Sequence, residues 1–411
     1  MTQTAQGALI YGLLVILVDR TNASFFNSLF VACAIFPSLA FGLPAGVVVD
    51  SLPRKPFMVF LNVLRFAFAL ALVANQPSLP GIFAAALGIW TIHQFYSPAE
   101  SALLASIVPN QRFTAAQAVS NLALTLAQLF GLVMLAPLAL KFTNPSTLFA
   151  VCGLLFIAAA LCSALIPRID DQRRRQSHPR RTMRETLLTG WGSVRRDHMV
   201  YSVMVDDILV GIGSTALIVM VPLYLKGVLN TAAANTVFVF APAAIGLVLG
   251  LRLASAIDQW FGTRRVAGYG LVLFAACIAS LGFVGQLHHF LNHVLHIPTD
   301  HIARWLSVPP LIFLVMLISI PTGFASAIVS VSARSVLLSR TAPSLRGQVI
   351  ATQSLLQNVG ALIPTFLTGI AADLFGVKIV AVAIAFFIAF GAMVAQAIFR
   401  PAPASVAPQT S

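Results

Sequence analysis

The sequence predicts an all-α polytopic membrane protein built from two pseudo-symmetric six-helix bundles, with a first helix that is short or truncated. Hydrophobic residues make up 58% of the 411 residues and charged residues only 9%, whereas a soluble domain carries about 25% charged residues. The apolar residues are grouped in runs long enough to cross a bilayer. Motifs of the first half of the chain also recur in the second half, which indicates an internal repeat.

Eleven apolar runs meet the length of about 20 residues that a membrane-spanning helix needs. They cover residues 24–49, 56–75, 80–108, 113–140, 146–166, 199–225, 234–257, 265–286, 306–339, 347–372 and 377–399. Residues 5–18, AQGALIYGLLVILV, form a shorter run without the preceding basic residues of a signal peptide. We interpret this run as part of a first helix whose beginning is missing; a short native helix is the alternative.

These runs divide the chain into two bundles and a basic connection. We expect an N-terminal six-helix bundle over residues 1–166, a basic cytoplasmic linker over 167–198 and a C-terminal six-helix bundle over 199–399. Residues 287–305 form an outer insertion in the second bundle, and residues 400–411 form a cytoplasmic tail.

The distribution of basic residues predicts the orientation. Of the 25 Lys and Arg residues, 17 fall in segments on one side, 5 fall on the other and the remaining three lie inside spans. Because cytoplasmic loops are enriched in Lys and Arg, the side with 17 is predicted to be cytoplasmic. The protein is therefore expected in the inner (plasma) membrane, as a multi-pass protein with both termini cytoplasmic. The same rule accounts for the run RRRQSHPRR better than a nucleic-acid patch does.

Two motifs repeat along the chain. GLPAGVVVDSLPRK, which contains Asp50, has an echo in GLRLASAIDQWFGTRR, which contains Asp258, at an offset of 208 residues. PAESALLASIVPNQR (98–112) aligns without gaps to SARSVLLSRTAPSLR (332–346) at an offset of 234. The difference of 26 residues between the offsets is absorbed by the predicted outer insertion. Duplicated halves with the same topology pack around an axis along the membrane normal, and a substrate path lies between them.

The first motif resembles the signature loop of the major facilitator superfamily, between its helices 2 and 3. YSPAESALLASIVPNQR and APSLRGQVIATQSLLQNVGALIPTFLTGIAADLFG are similar to helices 4 and 10–11 of the drug-efflux and secretion-effector branch of that family. The helix 5 signature of antiporters keeps only Gly131 and Pro137 here, and Pro53 replaces a glycine of the signature loop. The resemblance covers nearly the whole chain and implies a transporter of the major-facilitator type.

The resemblance implies that the signature loop and its copy latch the cytoplasmic ends of the two bundles. Asp50 could pair with Arg54 and also face the N-terminus of a helix in the other bundle, where a negative charge is favourable. The alternative is a turn whose charges simply lie among the lipid headgroups. The candidate latch residues are Gly46, Asp50, Arg54, Lys55, Asp258, Arg264 and Arg265.

Six charged residues lie inside predicted spans, each six to nine residues from a cytoplasmic helix end: Arg65, Glu100, Asp206, Asp207, Arg252 and Arg334. A lone charge at such a depth costs about 2.5–3.5 kcal/mol, so we expect the three acids and three bases to pair. Glu100 and Arg334 occupy matching repeat positions, which predicts a gate between the bundles; pairing within each bundle, such as Arg65 with Glu100, is the alternative. Glu100, Asp206 and Asp207 are also candidate carriers of a coupling proton, although at most one of the two adjacent aspartates faces a cavity.

Uncharged polar residues recur at helical spacing in the outer two-thirds of the spans. A path with amide, hydroxyl and aromatic groups but no fixed charge suits a neutral or amphiphilic, largely apolar molecule. The alternative is that these side chains hydrogen-bond between helices. The candidate substrate-binding residues are His93, Gln94, Tyr96, Gln117, Asn121, Gln128, Gln353, Gln357 and Asn358.

Together these patterns and the resemblance predict a secondary active transporter, not an enzyme, that exports small amphiphilic or neutral apolar compounds by alternating access. A lipid or lysophospholipid flippase on the same fold and a non-transporting membrane receptor or assembly partner are the alternatives. The sequence shows no nucleophile–histidine–acid set, zinc motif or nucleotide loop. We expect a monomer in the lipid bilayer, with a small-molecule substrate, protons as a candidate coupling ion, and no cofactor, metal or nucleic acid.

Overall fold

The computed structural model describes residues 1–21, 24–74, 78–108, 113–166, 183–229, 231, 237–293, 309–341 and 345–398, and these residues are almost entirely helical. The first part of the chain forms α1 (Thr2–Thr21), α2 (Ser24–Ser51), α3 (Arg54–Ala74), α4 (Leu79–Ile107), α5 (Phe113–Phe130), a π-helical turn (Gly131–Leu135), α6 (Ala136–Phe142) and α7 (Pro145–Leu165). We call these helices the first bundle.

The second part begins with α8 (Met183–Arg196) and continues with α9 (His198–Gly227), α10 (Val237–Phe261), α11 (Thr263–Gly282), α12 (Val284–His293), α13 (Pro310–Arg340), α14 (Arg346–Phe375) and α15 (Val377–Ile398). We call α9–α15 the second bundle. The predicted all-α fold is confirmed, and within the described residues ten helices are long and apolar enough to cross a membrane. The protein is a multi-pass membrane protein.

Helix α1 is longer than its apolar run indicated. It covers 20 residues and begins with the polar residues Thr2, Gln3 and Gln6, all of which are buried. The apolar run predicts a start at residue 5, because the polar side chains of Thr2 and Gln3 precede the run. In the structure Thr2 lies against Asn62 of α3 and Tyr96 of α4.

Local signals in the sequence set the helix boundaries. The hydroxyl of Ser78 accepts a hydrogen bond from the N–H of Gly81, and the carboxylate of Asp197 accepts bonds from the N–H groups of Met199 and Val200, so both residues are N-caps. Tight turns end α10 and α14 at Gly262 and Gly376, whose φ angles are 81° and 84°. Glycine is favoured at both positions because side chains disfavour positive φ.

Each bundle has its own apolar core. In the first bundle α1, α4 and α7 contribute residues such as Leu13, Ile89 and Phe149 to one cluster. In the second bundle α9, α11, α13 and α15 meet at Phe274 and Ile388 among other residues. The two bundles are therefore packed units that meet along a shared surface.

One crossing in the second bundle brings two helix backbones into contact. A Cβ atom added at Gly246 of α10 would collide with the carbonyl oxygen of Ile320 in α13, and one added at Gly323 of α13 would collide with the carbonyl of Ala243. Small residues permit such close approach between membrane helices. Helices α10 and α13 consequently pack as a pair.

The helices have two kinds of end. We call the basic end the one where the α2–α3 and α10–α11 turns lie, together with the end of α4, the start of α9 and the end of α13; the other is the opposite end. At the basic end the predicted linker contains α8, which the apolar runs did not reveal because it is too polar. Gly190 of α8 lies against Thr352 and the carbonyl of Gln348 on α14, and Val194 is buried against the start of α9.

Candidate functional site

A polar cluster surrounds Arg65 inside the first bundle. The side chain is fully buried, and its guanidinium carbon lies 4.6 Å from the ring centre of Tyr96 and 5.8 Å from that of Phe156. Its Nη2 atom is 3.4 Å from Nδ1 of His93. Aromatic faces attract a buried guanidinium, which explains how α4 and α7 hold this residue of α3 in place.

The same cluster extends to α1 and includes one acid. The Thr2 hydroxyl lies 3.5 Å from Oδ1 of Asn62 and 3.4 Å from the hydroxyl of Tyr96. Glu100, one turn beyond Tyr96 on α4, is within electrostatic range of Arg65. Among the described residues, however, the Nε and Nη1 atoms of Arg65 have no hydrogen-bond partner. Arg65 and Glu100 thus interact electrostatically, although neither Nε nor Nη1 of the guanidinium makes a hydrogen bond within the described part of the chain.

A second polar cluster lies in the second bundle, around the adjacent acids of α9. The carboxylate of Asp207 accepts hydrogen bonds from the Ser330 hydroxyl at 2.7 Å and from the Gln353 amide at 2.5 Å, and Arg334 is within its electrostatic range. Asp206 is buried, and its Oδ1 atom has no hydrogen-bond partner within the described part of the chain. Asp206 and Asp207 thus have different surroundings, as expected for successive residues of a helix.

The internal repeat relates the two clusters. The offset of 234 residues pairs Tyr96 with Ser330 and Glu100 with Arg334, so each cluster contains a polar residue and a charged residue one turn apart on equivalent helices. Glu100 acts on Arg65 and Arg334 acts on Asp207, each within its own bundle. Among the ion pairs described for this structure there is none between Glu100 and Arg334.

The bundles meet at the opposite end and at mid-depth. At the opposite end Lys226 donates a hydrogen bond to the Val18 carbonyl at 3.3 Å, and Asp373 accepts one from the N–H of Phe25 at 2.9 Å. Midway along the helices, the Asn358 amide donates to the Ser38 hydroxyl at 2.6 Å. Beside this bond, Ile35 of α2 packs against Ile212 and Ala361 of the second bundle. We call this surface the seam.

The candidate latch residues lie at the basic end. Arg54 donates to the carbonyl of Ala102 at 3.3 Å, and Lys55 donates to that of Ile166 at 2.6 Å, so both contact other helix ends of their own bundle. Asp258 accepts a hydrogen bond from Ser332 at 2.8 Å. Gly46 and Asp50 lie in α2, and their surroundings are outside the described residues. The side chains of Arg264 and Arg265, and that of Arg252 in the charged layer, are exposed.

The candidate substrate-binding residues have varied surroundings. Tyr96 and Gln353 are buried in the two polar clusters, and His93 makes an edge contact with the ring of Trp90. Asn358 belongs to the seam, and Gln357 presses against Gly211 of α9. Gln94 is half-buried and Gln128 is exposed. Gln117 and Asn121 lie in α5, but their side chains are outside the described set.

Several polar residues of these clusters were missed by the sequence reasoning. Ser330 and Ser38 were passed over because a single serine in an apolar helix gives no periodic signal, and Asn62 because it stands alone on α3. The repeat could have revealed Ser330, since it occupies the position equivalent to Tyr96.

Comparisons with known proteins agree with this architecture. The nucleoside transporter NupG matches with a TM-score of 0.72 and 10% identity, over 98% of this chain and 99% of that one. A bacterial homolog of the human lysosomal transporter Spinster, in an inward-facing and occupied conformation, matches with a TM-score of 0.69 and 14% identity, over 98% and 96% of the two chains. An auto-inhibited peptide transporter of the POT family has a TM-score of 0.62 and 14% identity, over 99% and 97%. At such identities these likenesses show the fold.

The family follows from the sequence itself. No curated protein sequence matches the chain. The sequence profile of the Major Facilitator Superfamily, in contrast, matches residues 2–297, which is well over half of the 411 residues. The chain belongs to the Major Facilitator Superfamily.

Proposed function

We propose that the protein is a secondary active transporter that exports small amphiphilic or neutral apolar compounds by alternating access, as a member of the drug-efflux and secretion-effector branch. The observation that supports this most directly is the uneven contact between the bundles among the residues that the structure describes. Hydrogen bonds of the seam lie at the opposite end and at mid-depth, whereas Glu100 and Arg334, nearer the basic end, each act on a partner in their own bundle. This arrangement fits a conformation that is open toward the basic end.

The two polar clusters would provide the gate at the basic end. When the bundles close there, Glu100 would leave the range of Arg65 and pair with Arg334, its equivalent in the repeat. In the closed arrangement Glu100 and Arg334 would neutralise each other. Arg65 would keep the rings of Tyr96 and Phe156, and Asp207 would keep its hydrogen bonds from Ser330 and Gln353, so that neither remaining charge is left without a partner. The signature loop, with Asp50 and its copy Asp258, would hold the same end closed as a latch.

Proton coupling would use one acid of the second cluster. The Asp207 carboxylate is held by Ser330 and Gln353, so its charge is stabilised where it lies. Asp206 is buried and its Oδ1 atom has no such donor among the described groups. Burial of an oxygen that has no hydrogen-bond partner, beside the negative charge of Asp207, disfavours the charged form, while Arg264 within electrostatic range favours it. This supports Asp206 as the residue that takes up and releases a proton.

The uncharged outer part of the spans supports an amphiphilic or neutral substrate. Its polar side chains, such as Asn358 and Ser38, bond to each other across the seam and would become available when the bundles part. A substrate with a small polar group and a larger apolar body suits these groups. A lysophospholipid shares that chemistry, so movement of lipid is the second outcome that the experiment must recognise.

Efflux from cells loaded with a panel of fluorescent amphiphiles, with and without a collapsed proton gradient, tests the proposal. We expect at least one compound to leave faster when the protein is expressed, and the Glu100→Gln variant to lose that effect at equal expression. Reconstituted vesicles with a labelled lysophospholipid distinguish a flippase. Absence of any protein-dependent flux in both assays would contradict transport and favour a receptor or assembly partner.

A further inference from the structure

Two helices of the first bundle end against charged side chains of the second bundle, at the opposite end of the molecule. Lys226, in the last turn of α9, donates a hydrogen bond from Nζ to the carbonyl of Val18 at 3.3 Å. Asp373, close to the end of α14, accepts a hydrogen bond from the backbone N–H of Phe25 at 2.9 Å. Both contacts cross the seam, and both connect a side chain to backbone.

The backbone groups in these contacts belong to helix termini. The Val18 carbonyl is among the last four of α1, which ends at Thr21, and the Phe25 N–H is among the first four of α2, which begins at Ser24. Such groups have no partner within their own helix. The second bundle therefore satisfies backbone groups that the first bundle leaves open.

The signs of the two charges match the two helix ends. A helix carries a partial negative charge at its C-terminus and a partial positive charge at its N-terminus, so cations are favourable at the former and anions at the latter. Lys226 is a cation at the C-terminus of α1, and Asp373 is an anion at the N-terminus of α2. The second bundle thus places a cation at the C-terminus of α1 and an anion at the N-terminus of α2.

We propose that Lys226 and Asp373 form a pair of helix-end clamps that hold the opposite end closed and release together when the bundles part there. The inference rests on the alternating access proposed above, but not on the identity of the substrate. When the clamps open, both charges and both backbone groups pass into water. Each clamp therefore opposes opening only modestly, as a gate that opens in every cycle requires.

Thiol labelling of the seam tests the clamps. Ser38→Cys places a reporter of nearly unchanged size at mid-depth, in a protein whose four native cysteines are replaced by serine or alanine. A membrane-impermeant maleimide is added on the side where Lys226 and Asp373 lie. We expect Lys226→Gln and Asp373→Ala each to increase the labelling rate by roughly two- to five-fold, and the double variant by roughly ten-fold, because helix-end charges contribute modestly and the two sites are separate.

A matched control and an independent measurement accompany this experiment. Lys378 is an exposed base at the same end of the second bundle, so Lys378→Gln removes a charge without removing a clamp and should leave the labelling rate unchanged. Hydrogen exchange of the Phe25 amide should become faster in Asp373→Ala and stay unchanged in Lys378→Gln. This second readout reports the local bond, whereas labelling reports the opening of the seam.

The outcomes separate the clamps from the transport hypothesis. If the reporter is labelled in the parent protein but neither clamp variant changes its rate, or if Lys378→Gln changes it equally, the clamps are wrong while alternating access stands. If the reporter is labelled only after denaturation in every variant, the opposite end does not open and both ideas fail. If only the efflux panel fails, the labelling result still decides whether the clamps hold the opposite end closed, because labelling needs no substrate.

Discussion

At the scale of single residues, the charged layer shows why membrane charges come in balanced sets. Arg65 is fully buried between the rings of Tyr96 and Phe156, with Glu100 in electrostatic range. On the other side of the seam, Asp207 has Arg334 in range and receives two hydrogen bonds. Each bundle thus contains a cation and an anion that balance each other in this conformation.

The first prediction concerns the exchange of partners by Glu100. Glu100→Gln and Arg334→Gln should each slow transport by roughly ten-fold or more, because coupling energies of 1–3 kcal/mol correspond to changes of that order. The exchange of the two charges, Glu100→Arg with Arg334→Glu, should recover part of the rate. Initial efflux rates at matched expression measure this effect. A double variant slower than both single variants would contradict pairing between the bundles.

The second prediction concerns the turn that leads into α9. Asp197 caps α9, and it also accepts a hydrogen bond from Arg340 at 3.3 Å. Removing the cap with Asp197→Ala should cost about 1 kcal/mol of stability. Arg340→Gln should cost less, since surface ion pairs contribute about 0–1 kcal/mol and this arginine side chain is 51% exposed. Thermal unfolding of the purified protein in detergent gives both values, and a larger loss for Arg340→Gln would show that the ion pair dominates.

The same residue gives a pH dependence. Although partial burial acts to raise the pKa of Asp197, its hydrogen bonds from Met199, Arg340 and Val200 outweigh burial and hold the pKa below its usual value. A carboxyl whose pKa is lowered on folding stabilises the protein above its unfolded pKa, and this stabilisation is lost as the pH falls through the folded pKa. The difference in melting temperature between the parent and Asp197→Ala should therefore shrink below about pH 4. A constant difference down to pH 3 would rule out ionisation as its source.

At the scale of helices, the repeat has diverged in how closely its members pack. Gly42 of α2 and Gly250 of α10 are equivalent by the offset of 208 residues. A Cβ added at Gly250 would lie 2.7 Å from the Phe324 carbonyl and 2.7 Å from the Ala327 Cβ, whereas one added at Gly42 would meet nothing within 4 Å. Gly250 thus lies at a close helix crossing, whereas the equivalent Gly42 faces open space.

This asymmetry yields a matched pair of variants, which is the third prediction. Gly250→Ala should destabilise the protein by about 1–3 kcal/mol, because it overpacks a contact between two backbones. Gly42→Ala should be neutral or slightly stabilising, since alanine is favoured over glycine within a helix by roughly 0.5–1 kcal/mol. Thermal unfolding in detergent tests both. Equal losses for the two variants would mean that α2 also packs closely through Gly42.

The sequence predicts the positions of most helices, but it predicts few of the contacts between them. Runs of apolar residues located the spanning helices because the bilayer demands a fixed length of apolar helix, and the repeat identified Glu100 and Arg334 as equivalent. Helix α8 was missed since its alternation of Trp191, Val194 and charged residues is amphipathic and not apolar. The clamps formed by Lys226 and Asp373 could not be anticipated, because which backbone group a surface charge meets depends on how the two bundles dock.

At the scale of the whole molecule, the family and the uneven seam describe a carrier made of two units. Each unit keeps its own apolar core, so motion between the units need not disturb either interior. What changes is the shared surface, where Ser38 and Asn358 meet at mid-depth and the clamps meet at the opposite end. Under the proposed alternating access, transport would depend on breaking a few polar contacts at one end while forming others at the basic end.

The fourth prediction tests this dependence by preventing the seam from opening. The Ser38 hydroxyl and the Asn358 amide nitrogen are 2.6 Å apart, so cysteines at both positions should be joined by a short bifunctional thiol reagent. Because that link fixes α2 to α14, the bundles could no longer part at the opposite end. We expect efflux by the linked protein to fall to the background of cells without the protein, and a cleavable linker to restore it after reduction. The single variants Ser38→Cys and Asn358→Cys, treated identically, should each transport at the same rate with and without the reagent, even where the substitution itself slows transport, because one cysteine cannot link the two helices. Transport at an unchanged rate through the linked protein would show that substrate does not cross between the bundles, and alternating access along this seam would then have to be abandoned.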